Sequence, residues 1–302
     1  MKEINDLLKK KNIRALSYRK IGNTFVANTN IGKVVIKKNK NKDYIYDYLK
    51  TRNFNYYPEI IESDDFIVTR YIEDVDIPKE QKITDLMDLI SLLHSKTTHY
   101  KEVSEDEYKK IYEDLSNNYE YLYEYYYDLI SIIDEKVFMS PSEYLLARNI
   151  SFIFKSIEIG KTLVQNWLND IDGLNKMRVV VVHNNLDLSH YIRNSKDYLI
   201  SWDKSKIDIP IFDLYNLYNN HYLDFDFYEL IKEYERVYPL KNYELELFLI
   251  LIIMPKKIEF NDNEFNMCIK ISHEVDRLYK SEKLIEQYKK SIVKNWFFTI
   301  IF

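Results

Sequence analysis

The chain has 302 residues, of which 46% are hydrophobic and 30% are charged, a balance that is typical of a globular protein and excludes a disordered chain. The formal net charge of −5 argues against a nucleic-acid partner or a polybasic membrane surface. The single cysteine, Cys268, excludes a disulfide within the chain and predicts a reducing, cytoplasmic location.

Neither the start of the sequence nor its apolar runs predict a membrane segment. Charged residues follow Met1 without an apolar signal region. The longest wholly apolar run, Leu247 to Met254, is far shorter than the roughly 20 residues that span a bilayer. We interpret it as a buried helical segment that ends at Pro255.

The first part of the chain is predicted to be rich in β-structure. Two β-branched runs within 22–37, with Asn and Gly turn residues between them, predict a β-hairpin. Apolar and aromatic residues at helical spacing predict a helix over 42–52, and strand-like runs follow at 59–62 and 66–72. The acidic stretch 73–78 has the composition of a connector.

Helical patterns dominate after Pro78. Apolar residues three and four positions apart predict a helix around 83–93, and a second helix is predicted over 105–133 with Ser104 as its cap. A third begins at Ser140, which Pro141 and Glu143 follow in a capping-box pattern.

A buried strand is predicted at 178–182, and short strands at 191–193 and 198–202 flank a turn. The chain is again mostly helical from Asp213. We therefore predict an α+β fold with a β-rich N-terminal part, residues 1–75, and a mainly helical part, residues 76–302.

Four segments occur in a characteristic order: Gly32–Lys37, Leu92–Ser95, Val181–Ile192, and Tyr198–Asp203 with Ile211–Leu214. They resemble the nucleotide-lysine strand, the "LH" helix, the HGDLHPGNIL catalytic loop and the "IDW…DLA" segment of the aminoglycoside phosphotransferase and choline kinase family. That resemblance implies the two-lobed protein-kinase fold, with a small β-rich lobe and a large helical lobe.

The segments Tyr238–Leu240 and Glu244–Lys257 also resemble the bacterial spore-coat kinase-like branch of this family. Membership of that branch would imply protein partners in spore-coat assembly and a spore-coat location.

The resemblance assigns roles that several residues of this chain do not match. Lys37 stands at the nucleotide-binding lysine, but Asn185 stands at the catalytic aspartate. His190 replaces the metal-binding asparagine, and Ser201 replaces the metal-binding aspartate. The two structural positions are kept, since His183 resembles the loop histidine and Asp213 resembles the aspartate that braces the loop.

These replacements predict a pseudokinase. The Asn185 carboxamide does not accept a proton at neutral pH, and general-base catalysis is typically worth a rate factor of roughly 10²–10⁴. Magnesium prefers oxygen ligands, so the imidazole of His190 is a poor substitute, and the Ser201 hydroxyl carries no charge. We therefore expect a protein that acts by binding or scaffolding and needs no cofactor.

Alternatives remain open at this stage. Asp187 and Asp203 each lie two residues after a degenerate position and face the same side in extended backbone, so they could serve as base and metal ligand in an active enzyme using ATP and Mg²⁺. Lys38 would take the place of Lys37 after a slip of one residue. His183 and His190 would suggest zinc if a third ligand joined them.

Two further expectations concern the whole chain. The apolar segment Trp296–Phe302 is predicted to dock on the large lobe or to offer a partner surface. A further alternative, a structural α-helical protein unrelated to kinases, predicts that the chain has no two-lobed cleft.

Overall fold

The computed structural model describes residues 2–22, 24–38, 43–63 and 66–299. Contacts divide the chain into two compact units: unit 1 is Met1–Thr97 with Val181–Ile207, and unit 2 is Thr98–Val180 with Asp208–Phe302. The boundary between residues 75 and 76 stays a prediction. The side chains of Trp296–Phe302 lie outside the described residues.

Unit 1 contains one antiparallel sheet with helices and a separate hairpin. Its helices are α1 (Lys2–Lys10), α2 (Asp43–Thr51) and α3 (Lys79–Thr97). Its sheet strands are β1 (Ala15–Ile21), β2 (Thr24–Thr29), β3 (Gly32–Lys38), β4 (Ile60–Ser63) and β5 (Phe66–Arg70), in the order β1-β2-β3-β5-β4.

The register of β3 decides which side chains face the core of unit 1. Val34 and Ile36 are buried against Ile4 and Leu8 of α1. Because successive side chains of a strand point to opposite faces, Lys37 lies on the other face of the sheet. The hairpin predicted within 22–37 is confirmed, with Phe25 opposite Ile36. The helix α1 is not predicted from the sequence.

Unit 2 is mainly helical. It begins with β6 (His99–Glu102), which pairs antiparallel with β7 (Lys176–Val182), the strand that leads back into unit 1. Its helices are α4 (Glu105–Asp134), α5 (Pro141–Ile171), α6 (Ile211–His221), α7 (Phe227–Val237), α8 (Asn242–Ile253) and α9 (Glu264–Thr299). The strands β8 (Tyr191–Arg193) and β9 (Asp197–Leu199) form the hairpin of unit 1, and β10 (Lys206–Asp208) follows them.

The predicted helix starts are confirmed. The Ser140 side chain accepts a hydrogen bond from the Glu143 backbone, and Glu143 Oε2 accepts one from the Ser140 backbone at 2.9 Å. At the start of α4, Ser104 Oγ accepts from the Glu107 backbone at 3.3 Å. The α+β class is thus confirmed, with an antiparallel N-terminal sheet and a helical C-terminal region.

One buried ion pair fixes β7 to the start of α8. The Arg178 guanidinium donates to both carboxylate oxygens of Glu244, and its Nη2 donates to Pro239 O at 2.9 Å. Glu244 is fully buried, and the Tyr238 ring centroid lies 4.2 Å from the guanidinium carbon of Arg178.

Among the helices of the described residues, none is long and apolar enough to cross a lipid bilayer.

Candidate functional site

Unit 1 contains a cavity of about 240 Å³ between its sheet and the segment 192–203. Aliphatic side chains from β2, β3, β5, the residues just after β5 and this segment form much of the wall: Val26, Val35, Ile67, Ile72, Ile192 and Ile200. The polar and charged lining includes Thr24, Lys37, Thr69, Ser201 and Asp203. A mostly apolar pocket with a few polar groups at one place is the usual form of a small-molecule site.

Lys37 projects into this cavity and is held there by two side chains. Its Nζ donates to Ser201 Oγ at 3.1 Å and to Asp203 Oδ2 at 3.2 Å. The side chains of Lys37 and Asp203 are 27% and 34% exposed, so a ligand in the cavity would reach both.

The turn that carries Ser201 and Asp203 has an unusual backbone. Ser201 has φ 66° and ψ 47°, in the left-handed region that few residues other than glycine adopt. Trp202 Nε1 donates to Leu199 O at 2.8 Å, and Ser205 Oγ donates to Trp202 O at 2.7 Å. These bonds hold the turn so that Ser201 and Asp203 both reach the same ammonium group.

The loop from His183 to His190 is stabilised by its own hydrogen bonds. His183 is fully buried, and its Nε2 donates to Ile200 O at 2.8 Å, which connects the loop to the cavity segment. His190 Nδ1 donates to Asn185 O at 2.7 Å. Asp187 Oδ1 accepts from the Ser189 backbone at 2.7 Å, which caps the short 3₁₀ turn Leu188–His190.

The structure therefore separates the predicted site residues into two sets. Lys37, Ser201 and Asp203 meet at the cavity. The described lining of the cavity does not include the loop residues Asn185, Asp187 and His190, which are partly buried along the loop.

Two further predicted positions, Lys38 and Asp213, lie outside the cavity. Lys38 is exposed at the end of β3, so the register places Lys37, not Lys38, at the cavity. Asp213 is fully buried in the first turn of α6, in unit 2.

Two aromatic residues that line the cavity are not predicted from the sequence. Tyr46 of α2 and Trp202 both contribute to the wall, with ring centroids 6.4 Å apart. On α2, Asp47 is exposed, and the side chain of Asp43 lies outside the described residues. In the sequence, Tyr46 belongs to the helical pattern of 42–52 and Trp202 to the segment Tyr198–Asp203, but neither pattern indicates a cavity.

A polar network positions the hairpin β8–β9, which supplies Ile192 to the cavity. The Arg193 backbone donates to Asp74 Oδ1 at 2.8 Å, and the Val75 backbone donates to Arg193 O at 2.8 Å. The Tyr191 hydroxyl donates to Asp197 Oδ1 at 2.5 Å. Burial raises the pKa of Tyr191, so its phenol stays protonated and keeps this bond.

The donor set at the cavity does not fit a resident metal ion. Asp203 is the sole carboxylate in the described lining, and Ser201 adds only a neutral hydroxyl. Within the described ranges, no group of three His, Cys, Asp or Glu side chains could hold a metal. For zinc, the rings of His183 and His190 lie 6.1 Å apart, and each already bonds a carbonyl oxygen.

No protein-family model matches the sequence, and no curated protein matches it. Solved structures do resemble the fold. An aminoglycoside phosphotransferase from Alicyclobacillus acidocaldarius has a TM-score of 0.70 at 10% identity, over 93% of each chain. A spectinomycin phosphotransferase bound to AMP has a TM-score of 0.54 at 13% identity, over 95% of this chain and 94% of that one.

The same spectinomycin phosphotransferase in complex with ADP and spectinomycin has a TM-score of 0.52 at 14% identity, over 93% of this chain and 98% of that chain. At these identities the similarity is one of fold. The fold implied by the four sequence segments is thereby confirmed: the chain has the protein-kinase-like fold of the aminoglycoside phosphotransferases.

Proposed function

We propose that this chain is a kinase-fold protein that binds an adenine nucleotide in the cavity of unit 1 and is impaired in phosphoryl transfer. The observation that carries the proposal is Lys37, which enters an apolar cavity in contact with Ser201 and Asp203. The spectinomycin phosphotransferase of similar fold binds AMP and ADP, which supports a nucleotide as the ligand.

The loop residues support the impairment. Phosphoryl transfer depends mostly on positioning and on neutralising charge. Asn185 has an amide side chain at the position of the family's catalytic base, and its backbone carbonyl accepts a hydrogen bond from His190 Nδ1. Without a carboxylate there, the general-base contribution of roughly 10²–10⁴ in rate is lost.

Asp203 is the residue of the described lining that would contact a magnesium ion bound to the nucleotide, and such an ion would supply charge neutralisation. The described lining offers one carboxylate and the neutral Ser201 hydroxyl, so phosphate oxygens and water would have to supply the other ligands. Lys37 would instead orient the phosphate end of the ligand, and the aliphatic walls would exclude water from the base.

A second candidate function is active phosphotransfer to a small hydroxylated metabolite. It is favoured by the Asp203 carboxylate, which lines the cavity. Against it, Asp187, which would have to act as the base, uses Oδ1 to cap the turn at Ser189. The spore-coat setting, the cytoplasmic location and the protein partners stay predictions.

Binding is tested by thermal unfolding of the full chain with ATP and ADP, each with and without Mg²⁺. A ligand at about 100 times its Kd stabilises the folded state by about 2.7 kcal/mol. Val35→Phe, which fills the cavity, should abolish the shift. Ile31→Phe, at the exposed β2–β3 turn, is the matched control and should keep it. No shift with any ligand would contradict nucleotide binding.

Catalysis is tested by release or transfer of the terminal phosphate of ATP. We expect no turnover by the wild type. Turnover is expected to become measurable in the triple variant Asn185→Asp, His190→Asn, Ser201→Asp, which restores the family pattern. Wild-type turnover that Asp203→Asn abolishes would instead establish the second candidate function.

A further inference from the structure

A second cavity, of about 590 Å³, lies within unit 2 beside the residues that join α8 to α9. Its described lining comes from the C-terminal end of α6, the segment 256–261 and the first part of α9. The lining contains four basic side chains and two carboxylates: Lys256, Lys257, Lys270 and Arg277, with Glu259 and Glu274. Because the whole chain has a formal net charge of −5, this excess of positive charge is a local feature of the cavity.

The most deeply buried part of the lining is an ion pair that uses up its own charges. Arg277 and Glu274 are 2% and 5% exposed. Arg277 Nη2 donates to Glu274 Oε1 at 2.6 Å, and Arg277 Nε donates to Glu274 Oε2 at 2.9 Å. The guanidinium also donates to the carbonyl oxygens of Ile252 and Met254. With its planar face of donors engaged in this way, Arg277 does not have the two parallel N–H groups that would bind a second anion bidentately.

Two of the three lysines are paired as well. Lys257 Nζ lies 3.0 Å from Glu259 Oε1, and Lys270 Nζ lies 3.1 Å from Asp262 Oδ2. Among the lysines and arginines of the described lining, Lys256 is the one that has no carboxylate oxygen within 4.0 Å of its side-chain nitrogen. Lys256 is exposed, so a dissolved ligand can reach it.

The surroundings of Lys256 favour a bound anion. Its backbone N–H donates to Glu274 Oε1 at 2.7 Å, which fixes Lys256 beside the buried ion pair. Burial and the nearby Arg277 guanidinium lower the pKa of Lys256, and the Glu274 carboxylate offsets part of this effect. A negatively charged group next to the Lys256 ammonium would oppose both the loss of hydration and the repulsion from Arg277.

The charge and the apolar walls of the cavity indicate which kind of anion fits. Lys256 and the Arg277–Glu274 pair together carry one net positive charge, which matches a monoanionic carboxylate better than a phosphate dianion. Ile258 and the Tyr222 ring provide apolar surface for a carbon skeleton. The cavity volume is within the range of small-molecule sites, about 300–1,000 Å³.

We propose that this cavity of unit 2 binds a small organic monocarboxylate, with the carboxylate group at the Lys256 ammonium and the carbon skeleton against Ile258 and Tyr222. The site is separate from the nucleotide cavity, because the described linings of the two cavities share no residue. The inference therefore does not depend on nucleotide binding.

The test is titration of the full chain at neutral pH with benzoate, with benzamide as its uncharged isostere, and with inorganic phosphate, each followed by the NMR relaxation of the ligand. Benzoate is expected to bind roughly fivefold more tightly than benzamide, about 1 kcal/mol, from its attraction to one ammonium group. Lys256→Met should abolish this preference. Lys289→Met removes the same charge from an exposed position of α9 outside the described lining and should keep it.

Three results would overturn the inference. They are equal affinities of the wild type for benzoate and benzamide, a preference for benzoate that survives Lys256→Met, and phosphate binding that is tighter than benzoate binding. The comparisons among the three ligands use the wild type alone, so they decide the matter even if the Lys256→Met protein does not fold.

Discussion

Replacing Gly160 by alanine in the middle of α5 should destabilise unit 2, although the same change usually stabilises a helix. Gly160 is buried, and a Cβ added there would come within 3.0 Å of the Tyr119 ring and hydroxyl. Tyr119 of α4 has little room to move, because it is fully buried and its hydroxyl donates to Ile250 O at 2.7 Å.

The sign and size of the expected change in the free energy of unfolding follow from two opposing effects. Alanine in place of glycine gains roughly 0.5–1 kcal/mol in a helix interior. Overpacking a well-filled core costs roughly 1–3 kcal/mol and occasionally more. Since the Tyr119 ring is held at its hydroxyl end, we expect the upper part of that range and a net loss of about 1–2 kcal/mol.

The measurement is the free energy of unfolding by urea, followed by far-UV circular dichroism. Ser151→Ala, an exposed substitution in the same helix, is the control and should change stability by less than about 0.5 kcal/mol. A Gly160→Ala protein that is more stable than the wild type would refute the close packing of α4 on α5 at this position.

The remaining predictions also concern unit 2. Burial, with the nearby Asp170, raises the pKa of Glu246 to about 7, so the free energy of unfolding should fall as the pH rises from about 4.5 to 7. Because Glu246 is partly exposed, we expect a decrease of about 1–2 kcal/mol. Glu246→Gln should remove this pH dependence in urea unfolding experiments at a series of pH values. A flat wild-type profile over that pH range would contradict the assignment. Arg178→Met leaves the buried Glu244 carboxylate unpaired and should cost roughly 3–5 kcal/mol by chemical denaturation. Breaking the exposed ion pair of Lys109 by Lys109→Met should cost under about 1 kcal/mol, and equal losses in the two variants would refute a special role for the buried pair.

Short sequence patterns predicted correctly those elements whose conformation depends on a few neighbouring residues. The Ser140 capping box and the β2–β3 hairpin each depend on a few neighbouring residues, and both are confirmed. The helix α1 shows the limit of this reasoning. Its buried face rests on Ile4 and Leu8, too few positions to stand out in a Lys-rich segment, and tertiary packing against the sheet stabilises it.

The sequence predicted which positions belong to the candidate site but not which side chains contact each other. Lys37 and Asp203 are 166 residues apart in the chain, and the family resemblance associates both with a nucleotide site without indicating that they touch. The choice between Lys37 and Lys38 needed the strand register, which a slip of one residue would reverse. The left-handed backbone at Ser201 was not predictable either, because serine is not a residue type that favours that conformation.

The division of unit 1 into two stretches of chain has a consequence for how the protein is made. Residues 98–180 belong to unit 2 and are synthesised between the two parts of unit 1. Translation proceeds at roughly 5–20 residues per second, so roughly 5–20 s pass between the synthesis of Thr97 and that of Ile207, the last residue of unit 1. During that interval Val35 and Ile67 of the nascent chain lack the cavity wall that Ile192 and Ile200 provide, so the cavity forms only after residues 181–207 have been synthesised.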